Sequence, residues 1–204
     1  ILYFKKELIV IVFYKFLKIL FFRSNKYIIV KLKGGLGNQL FIYCAAQSLA
    51  KNNNCDLLID NFSGFYRDKK FKRKSQLENL EIYNTKNVNF IPRSLSLFFL
   101  TLIKFRISLD IVNLEYIKQT SRNLENKLFR KSLKKSIYLD GLWQSYKYFD
   151  QYKNYFQEEI RPLHISKKVQ KLKEKIINTK YNYGIHIRIF SETANIIIQK
   201  DICH

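Results

Sequence analysis

Apolar and polar positions change period several times along this chain. Tyr27 to Leu32 is an Ile/Val-rich run that reads as a buried strand. It ends in Lys33-Gly34-Gly35-Leu36-Gly37. From Gln39 to Lys51 the period becomes helical, with Leu40, Phe41, Cys44 and Leu49 on one face and Asn38 placed to cap the start. Cys55 to Asp60 (CDLLID) reads as a second strand. Strand, helix and strand in about 35 residues make a βαβ unit, hence a parallel sheet with a right-handed crossover. Gln76 to Arg93 mixes a short helical pattern with a strand around Val88 to Ile91. Leu95 to Lys135 is mostly helical in pattern and shows no chemistry. Ile137 to Gly141 reads as a strand, and Ser145 to Ile160 as a helix with Phe149, Tyr152, Phe156 and Ile160 recurring along it. Arg161-Pro162 ends that helix. Ser166 to Thr179 predicts a basic amphipathic helix with Val169, Leu172 and Ile176 inward. Asn182 to Ile189 alternates cleanly, with Ile185, Ile187 and Ile189 on one face and Gly184, His186 and Arg188 on the other. Together these elements predict an α/β fold on a Rossmann-like parallel sheet.

Composition narrows the function classes. With 204 residues, 47% hydrophobic and 16% aromatic, the chain can bury a core and is not disordered. Its net charge of +21 favours anionic partners such as sugar nucleotides, nucleic acid or an anionic membrane face. The lysines are spread along the chain, so AT-rich coding explains much of the excess. Arg67 to Lys74 (RDKKFKRK) reads as a solvated loop, with a single aromatic, Phe71, which is thin for nucleic-acid stacking. Residues 1–23 are apolar and basic. Lys15 and Lys18 interrupt them, so they fall short of the roughly 20 apolar residues of a spanning helix. They suit an interfacial helix better, which leaves peripheral contact with a membrane surface as a competing reading beside a basic nucleic-acid-binding protein. Cys44, Cys55 and Cys203 have no C-x-x-C spacing and read as free thiols in a reducing, cytoplasmic compartment, not as a zinc site.

Two stretches carry candidate chemistry. The Gly-rich turn between strand and helix lets backbone approach a ligand, and the helix N-terminus favours an anion or an oxygen-rich group. Its spacing is neither G-x-G-x-x-G nor G-x-x-x-x-G-K-[ST], so on that logic a plain βα turn and a binding site stand level. His186 and Arg188 share one face of their strand, about 6.5 to 7 Å apart along it. Arginine offers a planar fork that matches a pyrophosphate and stabilises charge on a departing diphosphate. Trp143, the sole tryptophan, reads first as a packing anchor.

The string GGLGNQLF, followed by Tyr43 and Ala45, resembles the N-terminal signature of glycosyltransferase family 11, the α-1,2-fucosyltransferases. Asp140, Gly141, Trp143, Gln144, Ser145, Tyr148 and Phe149 match that family's D-G-[YF]-W-Q-S segment and its Tyr-Phe pair. His186, Ile187 and Arg188 match the start of H-[IV]-R-R-G-D. Ile42 and Leu142 depart from the usual residues, and Ile189, Phe190 and Ser191 stand where the family has Arg, Gly and Asp. The resemblance implies a GT-B-like enzyme. Residues 1–26 are then an extension outside the natural start, 27–162 the acceptor-side domain, 163–189 the start of the donor domain, of which only the first strand is present, and 190–204 an aberrant tail. It implies an inverting transfer of fucose from GDP-fucose to the 2-hydroxyl of a terminal galactose, without metal or nucleic acid. Gly34, Gly35, Gly37, Asn38 and Gln39 would line the interdomain cleft and help bind the donor, and Arg188, supported by His186, would hold the diphosphate. The broken third motif further implies an incomplete and inactive chain. Neither the nucleic-acid nor the membrane reading accounts for the three motifs in this order.

Overall fold

The computed structural model describes residues 26–84, 88–104, 114–120 and 132–185. Five parallel strands form one sheet: β1 (Tyr27–Lys31), β2 (Asp56–Asp60), β3 (Val88–Phe90), β4 (Leu114–Lys118) and β5 (Ser136–Asp140). Their order is β3-β2-β1-β5-β4. This is the α/β, Rossmann-like arrangement that the alternating pattern predicts.

The central strands are buried on both faces, as parallel sheets require. In β1, Ile28 and Val30 point into one core and Ile29 into the other. Strand β5 repeats this with Ile137 and Leu139 on one face and Tyr138 on the opposite one. Helix α1 (Leu36–Asn52) covers the first face with Ile42, Tyr43, Ala45, Ala46 and Leu49. Helix α2 (Arg93–Lys104) covers the second with Leu95 and Phe99. Pro92 ends the β3 segment and opens α2, its carbonyl accepting the N–H groups of Leu95 and Ser96.

Several expectations need correction. Helix α1 begins at Leu36 with Gly35 as its cap, so Asn38 lies inside the first turn. Its burial runs unbroken from Ile42 to Ala50 and is not confined to one face. The reason is further cover from beyond the sheet: Phe149 packs on Phe41 and Phe156 on Tyr43, and Trp143 and Tyr148 join the same core cluster. The segment expected as one helix from Ser145 is instead two short 3₁₀ turns, Tyr146–Tyr148 and Asp150–Tyr152, followed by helix α3 (Lys153–Glu159). Its aromatic spacing serves packing, and Glu159 turns inward to accept the hydroxyls of Tyr43 at 2.7 Å and Tyr155 at 2.6 Å. Strand β4 lies where the pattern predicts a helix. Ladder pairing of Leu114–Lys118 with Ser136–Asp140 overrides the local pattern there.

The chain divides into two compact units, at Leu163 and His164. In the second, helix α4 (Lys167–Ile177) is capped by Ser166, whose hydroxyl accepts from the Val169 N–H at 3.3 Å. Its periodicity predicts an inward apolar face, yet Val169, Leu172 and Ile176 are exposed. The described residues of this unit supply no surface to cover them. Asn182–Ile185 carries no ladder, so the expected strand is not seen over its described residues.

At the end of β2, Asp60 is fully buried. It accepts from the N–H groups of Phe62 (3.1 Å) and Ser63 (2.9 Å), from the Ser63 hydroxyl, and from Tyr138 across the sheet at 2.6 Å. Burial, and then the Asp60 charge, push the Tyr138 phenol well above its ordinary range. Tyr138→Phe leaves this carboxylate one donor short, and a loss of about 1–3 kcal/mol is expected in urea unfolding.

Candidate active site

In an open parallel sheet, ligands bind beyond the carboxyl ends of the strands, where the strand order reverses. Here the reversal falls between β1 and β5. Their following loops are Leu32–Gly35 and Gly141–Ser145, the two motif stretches. Strand pairing aligns Val30 with Leu139, so both loops leave the sheet at the same level.

The first loop is shaped from within. Gly34 has φ +78°, and a Cβ there would meet the Asn38 amide nitrogen at 2.5 Å, so this position needs glycine. Gly35 and Gly37 have open space where a Cβ would stand. They leave the backbone bare at the N-terminus of a 17-residue helix whose first turn holds no acidic residue. Gln39 is fully buried. Its Nε2 donates to the carbonyls of Gly34 (2.9 Å) and Lys74 (3.0 Å), and its Oε1 accepts from the Gln76 N–H at 2.8 Å. The Gln39 amide is therefore spent on holding the loop, while Asn38 faces the second motif. Asn38 Oδ1 accepts from Gln144 Nε2 at 2.7 Å.

Asp140 anchors the base of the site. Lys31 Nζ lies 3.0 Å from its Oδ2, and Lys33 Nζ 2.8 Å from its Oδ1. The Tyr116 hydroxyl donates to Oδ2 at 2.9 Å. Burial alone would raise the Asp140 carboxyl, but the two ammonium groups outweigh it and hold the group down at about 2. Burial, reinforced by Asp140, pushes the Tyr116 phenol up. An acid this strong is a poor proton acceptor. The cluster instead carries two cations for one carboxylate, a surplus suited to an anionic or oxygen-rich ligand.

The second loop turns sharply. Trp143 is buried in the core with φ +49°, and its ring meets Tyr148 edge-on at 5.9 Å. It is the packing anchor expected, not an exposed stacking platform. Gly141 is pressed between Gln119 and Trp143, and a Cβ there would lie 2.6 Å from each.

Gly34, Gly35, Gly37, Asn38 and Gln39 are thus brought together with the Asp140–Ser145 segment. His186 and Arg188 lie outside the described residues, as do Cys203 and residues 1–23. Sequence reasoning missed Lys31, Lys33, Tyr116, Gln119 and the ion pairs of Asp140. Tyr116 and Gln119 were hidden because β4 joins the site only through non-local pairing. The basic run Arg67–Lys74 is a loop in which Arg73 and Lys70 approach the Phe71 ring, at 4.0 and 5.2 Å. Among the described residues no group of three His, Cys, Asp or Glu could hold a metal ion. No helix among them is long and apolar enough to cross a membrane. Cys44 is a buried thiol pushed up to about 12, first by burial and then by Glu159.

The chain is similar to an α-1,2-colitosyltransferase of Escherichia coli, with 26% identity over 177 residues, covering 83% of this chain and 56% of that protein. The chain therefore spans about half the length of the curated relative it matches. No family model and no solved structure match it.

Two outcomes follow for the Asp140 end of the site. Gly141→Ala drives a methyl group into Gln119 and Trp143, and a loss of about 1–3 kcal/mol is expected in denaturant melts. The Asp140 carboxyl titrates lower in the folded chain than its ordinary 3.8. Its stabilisation is therefore complete above 3.8 and is lost as pH falls through about 2. Acid titration followed by circular dichroism should show this loss in the wild type and not in Asp140→Asn. Equal acid profiles would contradict the ion-pair assignment.

Proposed function

We propose that this chain belongs to a glycosyltransferase that moves a sugar from a nucleotide donor to a glycan hydroxyl. The observation that carries the reading is the meeting of GGLGNQ and DGLWQS at the sheet's reversal point, sealed by the Asn38–Gln144 hydrogen bond. Similarity to a transferase of the same linkage class supports it. The finer reading is transfer of fucose from GDP-fucose to the 2-hydroxyl of a terminal galactose. The acceptor oxygen attacks the anomeric carbon from the face opposite the diphosphate. The C–O bond to the diphosphate breaks as the new glycosidic bond forms, with inversion, and the hydroxyl proton leaves to a base. Asp140 is not that base, since its oxygens are occupied by Lys31, Lys33 and Tyr116. Arg188 neutralises the departing diphosphate and His186 supports it. The bare backbone at Gly35 and Gly37 lines the cleft. A second reading, colitosyl transfer in the same linkage, is favoured by the relative's activity.

The test is incubation of the protein with labelled GDP-fucose and galactose-terminated oligosaccharides, with products read by mass spectrometry and NMR. An α-1,2-linked product is expected, which would overturn the inactivity that the broken third motif implies, and it should fall about 100-fold or more in Arg188→Ala, the scale seen when one donor to a developing negative charge is removed. A GDP-colitose arm separates the two donors. No transfer from either donor to any galactoside would contradict the proposal.

A further inference from the structure

Gln119 follows the last residue of β4 and makes three hydrogen bonds to one short segment. Its own N–H donates to the Asp140 carbonyl at 3.0 Å. Its side-chain oxygen accepts from two successive N–H groups, Leu142 at 2.9 Å and Trp143 at 3.0 Å. Successive N–H groups converging on one point form a small nest, an arrangement that elsewhere captures anions. Here an amide oxygen from a neighbouring strand fills it. The contact also fixes residue choice, because the Gln119 side chain helps to bar a Cβ at Gly141.

This turn is not one a bulky residue adopts unaided. Trp143 sits at φ +49°, a left-handed conformation disfavoured for a side-chain-bearing residue. The Trp143 N–H belongs to a fully buried residue and needs an acceptor. Ser145 N–H then bonds back to the Trp143 carbonyl at 2.8 Å. Between these two fixed points stands Gln144, exposed, with its amide on Asn38. A polar pair on an open rim holds its place only weakly on its own. Its position is set by the turn beneath it.

We infer that Gln119 is a positioning residue of the candidate site: its side-chain oxygen holds the Gly141–Trp143 turn and thereby places Gln144 against Asn38. The kinetic arm of the test rests on the transfer reading, whereas the spectroscopic arm does not. Gln119→Met keeps the length of the side chain and removes the acceptor. Gln119→Glu keeps an acceptor oxygen. Trp143 is the only tryptophan, so its emission and acrylamide quenching report on the turn directly.

In the full chain, Gln119→Met should raise quenching of Trp143 and shift its emission to the red. It should lower kcat for transfer about a hundredfold, as small misplacements at a reacting centre do, while donor KM is unchanged. Gln119→Glu should restore both readouts. Gln144→Met should lower kcat with Trp143 quenching unchanged, and it carries the kinetic test if Gln119→Met does not fold. Wild-type quenching in Gln119→Met, equal losses in the Met and Glu variants, or wild-type kcat in Gln144→Met would each overturn the inference. If the wild type transfers no sugar, the transfer reading fails, and the quenching of the Met and Glu variants alone decides the positioning role.

Discussion

Lys31 and Asp140 stand 109 residues apart in sequence and 3.0 Å apart in space. What brings them together is the parallel pairing of β1 with β5, and most of the site depends on that pairing. It sets the level at which two loops leave the sheet. Helices α1 and α2 cover the two faces of these central strands, because neither strand is apolar on one side only. With the strands fixed, Lys33 from the loop after β1 and Tyr116 and Gln119 from β4 and its end reach their partners, and the two motif stretches become neighbours.

Asp140 shows the energetic logic at that junction. Withdrawing a carboxylate from water costs several kcal/mol, which a single ion pair in a protein often fails to repay. Two ammonium groups and a phenol share this one, and the net effect lowers its proton affinity. The result is a rigid floor carrying a surplus positive charge, beneath a loop whose glycines leave backbone uncovered. Asp60 has the matching role at the end of β2, where Ser63, Phe62 and Tyr138 hold its carboxylate among neutral donors. Both acids end strands, so both shape loops on the same rim of the sheet.

Much of this is legible in the sequence, and what is not has a physical reason. β1, β2 and β5 can be read because a buried parallel strand is a short, continuous apolar run, and Tyr27–Lys31 and Ser136–Asp140 are such runs. The start of α1 is misplaced because Asn38 is a good cap by type, while Gly35 caps through backbone alone. The extent of its burial is missed because Phe149 and Phe156 pack on Phe41 and Tyr43 from a distant segment. Strand β4 is hidden for a related reason: LEYIK gains its strand character from β5, not from its own pattern. Tyr116 and Gln119 go with it. The converse holds for Trp143, whose size alone favours packing, and for α4, whose amphipathic face is correctly periodic but has no cover among the described residues of its unit.

The central claim is that the loops after β1 and β5 form one binding surface. Its most direct test is a ¹⁵N-resolved NMR titration of the chain with GDP-fucose and, separately, with a galactose-terminated oligosaccharide. The side-chain amides of Asn38 and Gln144, the Trp143 indole and the Gly34–Gly37 amides should shift together and saturably with at least one of them. Shifts confined to other surfaces, or none with either ligand, would contradict it.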